Sequence, residues 1–436
     1  GTNFQRKFHF LIIIFFKKGV KEIHLKVWRN LLPKNMLMII FFVDQNLKNL
    51  PLSEVLDIEK LRNVDKPIET ANGLPNECYI NDDYLAHERE KVFFSKWTVV
   101  GVASSIPNPG DARPHNLLGI PLILIRDKSM KIRVFHNVCS HRGFKLIERE
   151  CKLKNVLRCP YHYWSYDFNG KLVATPHIGG LGKHDVEGFD KTKSNLKEVN
   201  SYIWMDLIFV NINSNAQSFE EFIKPLEKRW SKFIKKDDQQ LIRHSADNGY
   251  FNMEVNSNWK FAIENYCESY HLPTIHPELN KVSNISDHYH IEDRDFSFSG
   301  QGSNKYSQQF EGNVKFNCFP NWPADLYQKA EYVSLYPNVM LGIHVDHFYA
   351  FWLEPIANNK TKEHFELYYI GEDSASSEEH KDIRKKNFAF WQEVMNEDVT
   401  AIEGMQKGRS SPAYNGGNFS PVMDTPTLMF HKWVAT

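Results

Sequence analysis

Two short pairs of metal-binding residues constrain the fold of this 436-residue chain more than any other feature. Cys139 and His141 are separated by one residue, and Cys159 and His162 by two, with 17 residues between the two pairs. Each pair lies where a short, β-branched and apolar run ends in a predicted tight turn. Two hairpin tips of this kind can converge on one metal centre.

Two cysteines and two histidines can hold either of two metal centres. In a [2Fe-2S] cluster of this ligation, two cysteines bind one iron and two histidines bind the other. Tetrahedral zinc accepts the same four residues, but zinc fingers usually pair Cys with Cys and His with His along the chain. Here each half mixes the two residue types, so the spacing favours the iron–sulfur cluster over zinc.

The composition argues against several other classes of protein. The 53 basic and 53 acidic residues cancel, which leaves no electrostatic footprint for nucleic acid or for an anionic membrane surface. The 6 cysteines are too few for a disulfide scaffold in a chain of this length, so we expect a reducing, cytoplasmic location. Apolar residues make up 42% of the chain, which is enough for two packed domains.

A second set of candidate ligands lies in the second half of the chain. Glu264, Glu268 and His271 have helical spacing and are predicted to share one face of a helix. Pro273 is predicted to stop this helix, and His276 then returns to the metal of His271 from a loop. Two histidines and one carboxylate on one face of Fe(II), with other positions open, are what O₂ and substrate require in non-haem oxygenases.

The carboxylate is predicted to come from a C-terminal helix at about residues 378–407. Asp398 falls within an apolar stripe that repeats in steps of three and four and must face the core. A carboxylate there is costly unless it is paired or bound to metal. Its neighbour Glu397 falls on the polar face and is predicted to be solvated. The alternative is that His271 and His276 make ordinary hydrogen bonds and that Asp398 forms a buried ion pair.

With these residues in place, CSHRG and CPYHYWSYDFNG resemble the two cluster-binding loops of the Rieske domain. The second histidine stretch and the EDxxxxExxQ run that starts at Glu397 resemble the catalytic domain of ring-hydroxylating oxygenases. The resemblance covers about residues 75–436 and implies a Rieske non-haem iron oxygenase. The implied ligands are Cys139, His141, Cys159 and His162 for a [2Fe-2S] Rieske cluster, and His271, His276 and Asp398 for a mononuclear Fe(II).

One position departs from the family pattern, and three others predict the reduction potential of the cluster. Tyr163 stands where the family usually has glycine, which often permits close backbone approach, so loop geometry or partner docking is expected to differ. Phe144 and Tyr161 replace the extra cysteines of high-potential Rieske proteins, and Trp164 replaces their hydroxyl donor. Fewer hydrogen bonds stabilise the reduced cluster less, so we expect a potential near the low end of roughly −150 to +300 mV.

The family also implies a catalytic role for Glu268. In relatives, a carboxylate just before the first iron-binding histidine bridges to a cluster histidine of the neighbouring subunit, which here would join His271 to the partner subunit's His162. The alternative is an ordinary solvated carboxylate. The resemblance implies a homotrimer, with or without small β subunits. A separate reductase or ferredoxin is expected as electron donor, because no flavin or nicotinamide motif such as a strand-linked GxGxxG is present.

Strand and helix signals predict an α+β chain with two domains. Residues 75–198 are expected to form an all-β Rieske domain after a short helical segment, and residues 199–436 a catalytic domain in which helices cover an antiparallel sheet. Residues 1–70 are predicted to be a leader that is either disordered or non-native. Its two apolar runs are too short to span a bilayer, so no membrane association is expected. A secretory signal is the alternative, because Arg6 and Lys7 precede the first run.

The function implied is oxidation of a small organic molecule by O₂ with electrons from the separate donor. Glu rather than Asp at position 268, the NYCESYH run and the tail at residues 419–427 resemble relatives that act on choline, betaine or carnitine-type compounds. Hydroxylation or oxidative N-demethylation of a quaternary ammonium compound is therefore expected, and abundant aromatic residues could cage its cation. The main alternative is an aromatic-ring hydroxylating dioxygenase, and the lesser one an electron-transfer protein with an inactive second domain.

Five further polar residues could mimic a metal site but are assigned to the surface or to ordinary polar contacts. His344 and Asp346 are predicted on one face of a strand-like run and His347 on the other. His288 and His290 are predicted in a polar loop.

Overall fold

The computed structural model describes residues 11–16, 37–42, 51–293, 297–308, 310 and 313–436. The chain divides into two compact units, Gly1–Pro51 and Leu52–Thr436. In the first unit the strands Leu11–Phe16 (β1) and Leu37–Phe42 (β2) pair in parallel. Both strands lie within the apolar runs of the predicted leader, whereas Arg6 and Lys7 of the alternative signal lie outside the described residues. Among the described helices, none combines the length and the apolar character that a membrane span needs.

The second unit begins before residue 70, where the predicted leader was expected to end. The short helices Leu52–Val55 (α1) and Ile58–Leu61 (α2) belong to it, and the side chains of Leu61 and Val64 are buried. These single-turn helices are too short to show an apolar period in the sequence. The structure therefore places residues 52–70 within the second unit.

The other α-helices of the described residues follow in chain order. They are Glu77–Ile80 (α3), Asp82–Glu88 (α4), Phe219–Trp230 (α5), Trp259–Cys267 (α6), Leu272–Ile275 (α7), Pro277–Val282 (α8), Gly371–Ser376 (α9), Lys381–Gly408 (α10) and Thr425–Ala435 (α11). The remaining described strands are Thr98–Val102 (β3), Asp111–Leu117 (β4), Ile120–Arg126 (β5), Ile132–His136 (β6), Cys151–Lys152 (β7), Leu157–Arg158 (β8), Ser165–Tyr166 (β9), Leu172–Ala174 (β10), Asn200–Trp204 (β11), Leu207–Asn211 (β12), Ile242–His244 (β13), Tyr250–Val255 (β14), His288–Glu292 (β15), Phe298–Ser303 (β16), Ala330–Leu335 (β17), Val339–Ile343 (β18), His347–Ala357 (β19) and Lys360–Ile370 (β20).

The N-terminal half of the second unit is built from small antiparallel sheets. One has the strand order β6-β5-β4-β7, a second has the order β10-β9-β8, and a third has the order β11-β12-β3. Buried side chains such as Ile123, Ile125 and Phe135 pack with Cys139 and Cys159 in one hydrophobic cluster. The predicted all-β character of this region is confirmed. The third sheet crosses the predicted boundary at residue 199, because β12 pairs with β3, and pairing between distant strands leaves no local signal.

The C-terminal half contains an eight-stranded antiparallel sheet. Its order is β13-β20-β19-β18-β17-β16-β15, with β14 also paired to β20. Helix α6 contacts β17, α11 contacts β16, and α10 packs against α6. Trp259 on α6 and Trp391 on α10 are buried in the cluster that joins these helices to the sheet. Helices therefore cover an antiparallel sheet, as predicted.

Candidate active site

The two predicted cluster loops adopt the same turn. In each loop the cysteine N–H donates to the carbonyl five residues later, and the amide four residues later donates to the cysteine carbonyl, with N–O distances from 2.8 to 3.0 Å. Cys139 and Cys159 are buried beneath these turns, and the rings of His141 and His162 lie 4.6 Å apart between centroids. The structure thus brings all four predicted cluster ligands together.

The chemistry of these four side chains fits a [2Fe-2S] cluster. Burial raises the pKa of the Cys159 thiol, which also contacts the Cys139 thiol. Nδ1 of His162 is buried and has no hydrogen-bond partner among the described residues. Paired cysteines and an unpartnered imidazole nitrogen are groups that a cluster can satisfy by ligation.

Tyr163 keeps the backbone conformation of the glycine that it replaces. Gly143 in the first loop and Tyr163 in the second stand at equivalent positions, with φ angles of 70° and 58°. A residue with a Cβ atom pays roughly 1–2 kcal/mol for this left-handed conformation. The Tyr163 ring is exposed, and the guanidinium of Arg158 lies 5.7 Å from its centroid. The expected change of loop geometry is therefore absent from the described loop, and the departure adds an exposed aromatic ring beside the cluster.

Tyr166 is a cluster neighbour that sequence reasoning missed. Its hydroxyl lies 3.3 Å from Sγ of Cys139 and 2.8 Å from Oγ of Ser140. Trp164 instead stacks on His141, with 4.6 Å between ring centroids. Trp164 supplies no hydroxyl, as predicted, but the prediction did not count the hydroxyl of Tyr166 beside Cys139. A hydroxyl at a ligand sulfur raises the potential above that of a cluster without it.

His271, His276 and Asp398 meet in the C-terminal half. One ligand atom from each lies within 4.8 Å of the other two. Oδ1 of Asp398 lies 2.9 Å from Nε2 of His276 and 3.7 Å from Nε2 of His271. This oxygen is buried, yet it makes no hydrogen bond of normal geometry among the described residues. Two imidazole nitrogens and one unsatisfied carboxylate oxygen that face one point fit a mononuclear Fe(II).

The chain reaches this arrangement by a path that differs from the prediction. Helix α6 ends at Cys267, and Glu268 has an extended backbone with φ −123° and ψ 162°. His271 precedes α7, and His276 stands between α7 and α8. Glu264 points elsewhere, because it accepts a hydrogen bond from Tyr79. The prediction that Glu264, Glu268 and His271 share one face of a helix is therefore wrong. Helical spacing alone does not distinguish one long helix from a helix followed by a turn.

Each iron-site histidine is held by a second carboxylate. Nδ1 of His271 lies 2.6 Å from Glu268, and Nδ1 of His276 lies 2.7 Å from Glu397. A carboxylate at Nδ1 fixes the tautomer that leaves Nε2 free for metal. Burial disfavours the charged form of His276, but the adjacent carboxylates of Asp398 and Glu397 outweigh it and raise the pKa of this imidazole. The prediction that Glu397 is merely solvated is therefore wrong.

A cavity that is partly open to solvent adjoins the triad. Tyr266, Tyr332, Tyr349 and Trp391 form part of its wall, together with aliphatic and polar side chains. The Tyr266 hydroxyl donates to that of Tyr349 at 3.0 Å, and the Tyr349 and Trp391 rings lie 4.6 Å apart. Within the described residues, no lysine or arginine lines this cavity.

Three histidines that were assigned to the surface or to ordinary contacts lie at or near this cavity. His288 lines it from strand β15 rather than from a loop, and its ring nitrogens lie 2.6 Å from Gln301 and 2.9 Å from Ser283. His344 and His347 flank the turn between β18 and β19 and are buried, with rings stacked 4.1 Å apart. Strand alternation predicted opposite faces for them, but the turn brings both rings together.

Comparisons with known proteins agree with this geometry. Residues 96–189 match the Rieske [2Fe-2S] domain, and residues 218–436 match the ring hydroxylating alpha subunit (catalytic domain). The chain is 26% identical to the carnitine monooxygenase oxygenase subunit of Acinetobacter pittii (strain PHEA-2), over 80% of this chain and 88% of that protein. It is 25% identical to the chloroplastic choline monooxygenase of Atriplex hortensis, over 84% of this chain and 78% of that protein.

Two solved structures share the fold. A quaternary ammonium Rieske monooxygenase in complex with L-carnitine superposes with a TM-score of 0.68 at 23% identity, over 86% of this chain and 97% of that chain. Naphthalene 1,2-dioxygenase with bound indole gives a TM-score of 0.64 at 17% identity, over 86% and 95%. The chain therefore belongs to the ring-hydroxylating alpha-subunit family, and it is a Rieske non-haem iron oxygenase whose cofactors are a [2Fe-2S] cluster and a mononuclear iron.

Proposed function

We propose that this protein is the oxygenase subunit of an enzyme that hydroxylates, or oxidatively N-demethylates, a small quaternary ammonium compound. The observation that carries the proposal is the cavity beside His271, His276 and Asp398. Its aromatic rings present negative π-faces, which attract a cation by about 0.5–2 kcal/mol for each favourable contact. The names of the carnitine and choline monooxygenases support the same substrate class.

The lining of the cavity favours a cation over a neutral aromatic ring. No basic side chain of the described residues lines it to repel a positive charge. A neutral aromatic substrate could stack on the same rings, but it would not gain the cation–π attraction. The aromatic-ring hydroxylating alternative is therefore the second candidate.

We assign the two cofactors to the seven ligands predicted from the sequence. Cys139, His141, Cys159 and His162 hold the cluster, and His271, His276 and Asp398 hold the iron. When bound, the two groups supply one-electron transfer and O₂ activation. Glu268 and Glu397 keep Nε2 of each iron histidine directed at Asp398, and the aromatic wall orients the substrate and excludes water. We take the Rieske domain to extend through β12, with the catalytic domain following it.

Glu268 is proposed to connect the two cofactors between subunits of a homotrimer. Its carboxylate contacts Nδ1 of His271, and its backbone carbonyl accepts a hydrogen bond of 2.7 Å from Gln301. The partner subunit's His162 would approach the same carboxylate and complete a hydrogen-bonded electron path.

A separate reductase or ferredoxin supplies the electrons, and the homotrimer can carry small β subunits in addition. Six cysteines without disulfides fit a cytoplasmic location.

A single-turnover experiment tests this function. The reduced, iron-loaded protein is exposed to O₂ with choline, γ-butyrobetaine or naphthalene, and the products are identified by mass spectrometry together with a formaldehyde assay. We expect a hydroxylated amine or formaldehyde from a quaternary amine and none from naphthalene. A naphthalene diol would establish the aromatic alternative. Absence of substrate-dependent O₂ uptake, with two irons per chain, would indicate an electron carrier.

A further inference from the structure

Asp346 and His347, which the sequence assigned to surface or ordinary polar contacts, belong to a chain of hydrogen bonds that reaches the wall of the cavity. Nε1 of Trp391 donates to Nε2 of His347 at 3.1 Å, and Nδ1 of His347 lies 2.7 Å from Oδ1 of Asp346. Trp391 lines the cavity beside the triad. Trp391 and His347 are buried, whereas 33% of the Asp346 side chain is exposed. The chain therefore runs from a partly exposed carboxylate to an aromatic ring of the cavity.

The chemistry of the three groups fixes which atom donates and which accepts along this chain. An indole N–H only donates, so Nε2 of His347 must be the acceptor and carries no proton. The imidazole proton is then on Nδ1, which donates it to Asp346. Asp346 thus sets the tautomer of His347, and His347 in turn holds the N–H of Trp391. The ring of His344, stacked 4.1 Å from that of His347, restricts rotation of this imidazole.

The chain changes what Trp391 offers to a ligand in the cavity. Because its N–H is held by His347, the indole presents ring carbon atoms to the cavity rather than its polar edge. Hydrogen bonds in a chain polarise one another, and a carboxylate behind an imidazole makes that imidazole a stronger acceptor. A stronger acceptor at the N–H leaves more electron density on the indole ring. Tryptophan is already the side chain whose π-face attracts cations most strongly, and this polarisation increases the attraction.

We propose that Asp346 and His347 are positioning residues that act through Trp391 to make the cavity selective for a positive charge. This inference rests on the proposed function and names the residues that set its preference for a quaternary ammonium group over an uncharged group of the same shape. The rings of Tyr349 and Tyr332 lie 4.6 Å and 6.4 Å from that of Trp391 and line the same cavity. Trp391 stands two helical turns before Asp398 on α10, about 10 Å along the helix, so a cation held on its ring lies near the iron ligands.

Two ligands that differ only in charge test this role. Choline and 3,3-dimethylbutan-1-ol have the same shape, but the quaternary nitrogen of choline is a neutral carbon in the alcohol. Dissociation constants are measured by calorimetry on the metal-loaded protein without O₂, so that no turnover is needed. We expect the wild type to bind choline at least about tenfold more tightly than the alcohol. Asp346→Asn, which keeps the shape of the side chain but removes its charge, should reduce this preference at least about threefold.

A double-mutant cycle shows whether Asp346 acts through His347. His347→Leu breaks the chain but keeps the carboxylate, so Asp346→Asn should cause no further loss of preference in that background. Asp325→Asn is the matched control, because it removes the same charge at an exposed position in the short turn at residues 324–326, and it should keep the full preference. Ultraviolet resonance Raman difference spectra should show a weaker hydrogen bond at an indole N–H in Asp346→Asn. If His347→Leu does not fold, this spectrum decides between the chain and a direct effect of the charge.

The outcomes separate this role from the proposed function. A full preference for choline in Asp346→Asn would overturn the role of the chain and leave the quaternary ammonium function intact. An equal loss with and without His347, or an unchanged indole N–H signal, would do the same. If the wild type binds 3,3-dimethylbutan-1-ol as tightly as choline, or binds neither, the cavity does not select a cation, and the proposed function fails together with this inference.

Discussion

Removing the Glu397 carboxylate is expected to weaken iron binding at the mononuclear site without affecting the cluster. Glu397 contacts Nδ1 of His276 at 2.7 Å and is about one-quarter exposed, at 24%. Loss of a carboxylate behind a metal-binding histidine typically costs about 10–100-fold in metal affinity or activity. Because Asp398 and His271 remain, we expect Glu397→Ala to bind Fe(II) about 10-fold to 100-fold more weakly. Glu397→Gln keeps a neutral hydrogen bond and should lose only about fivefold, which corresponds to roughly 1 kcal/mol.

The pH dependence distinguishes this positioning role from a general loss of structure. Burial lowers the pKa of His276, but Asp398 and Glu397 together raise it above the ordinary value. Iron must displace the proton, so affinity rises as pH rises through this pKa. Without Glu397 the pKa of His276 falls, and the midpoint of pH-dependent iron binding moves to lower pH.

Iron titration of the cluster-loaded protein at several pH values measures both effects. Glu393→Ala, an exposed carboxylate one turn earlier on α10, is the matched control and should leave affinity and midpoint unchanged. An affinity of Glu397→Ala within twofold of wild type, or an unshifted midpoint, would contradict a positioning role for Glu397 at His276.

Three further predictions concern the cluster loops and the path between cofactors. Tyr163→Gly should raise the free energy of unfolding by about 0.5–1 kcal/mol, because the relief of left-handed strain exceeds the entropic cost of ordering a glycine. Denaturant unfolding would measure this change, and a loss of stability would contradict it. Tyr166→Phe should lower the cluster potential by roughly 40 mV, the one-electron equivalent of about 1 kcal/mol, measured by redox titration; an unchanged value would show that the contact with Cys139 is not a hydrogen bond. Glu268→Gln should keep full metal content but stop turnover, and turnover at the wild-type rate would disprove the bridge.

The ligands could be predicted from the sequence because their chemistry is unusual at those positions. Mixed Cys and His pairs at two turns have few explanations other than metal binding. An acidic residue in an apolar helical stripe needs a partner or a metal. Asp398 satisfied that second criterion and lies beside His271 and His276 in the structure. The family resemblance then pointed to the same positions.

The residues that sequence reasoning missed depend on contacts between distant segments. Glu397 was placed on the polar face of its helix, and only the path of the loop at His276 turns it into a partner of that imidazole. Tyr166 reaches Cys139 across two hairpins. The end of α6 at Cys267 was also missed, because periodic residues continue beyond the point where the helix stops.

We propose that His271, His276 and Asp398 hold a second iron, separate from the Rieske cluster. The iron content per chain of the wild type and of Asp398→Ala, measured together with the visible spectrum of the cluster, shows whether this site exists. We expect about three irons in the wild type and about two in the variant, with the Rieske spectrum unchanged. Two irons in the wild type, or three in the variant, would contradict the assignment of this site.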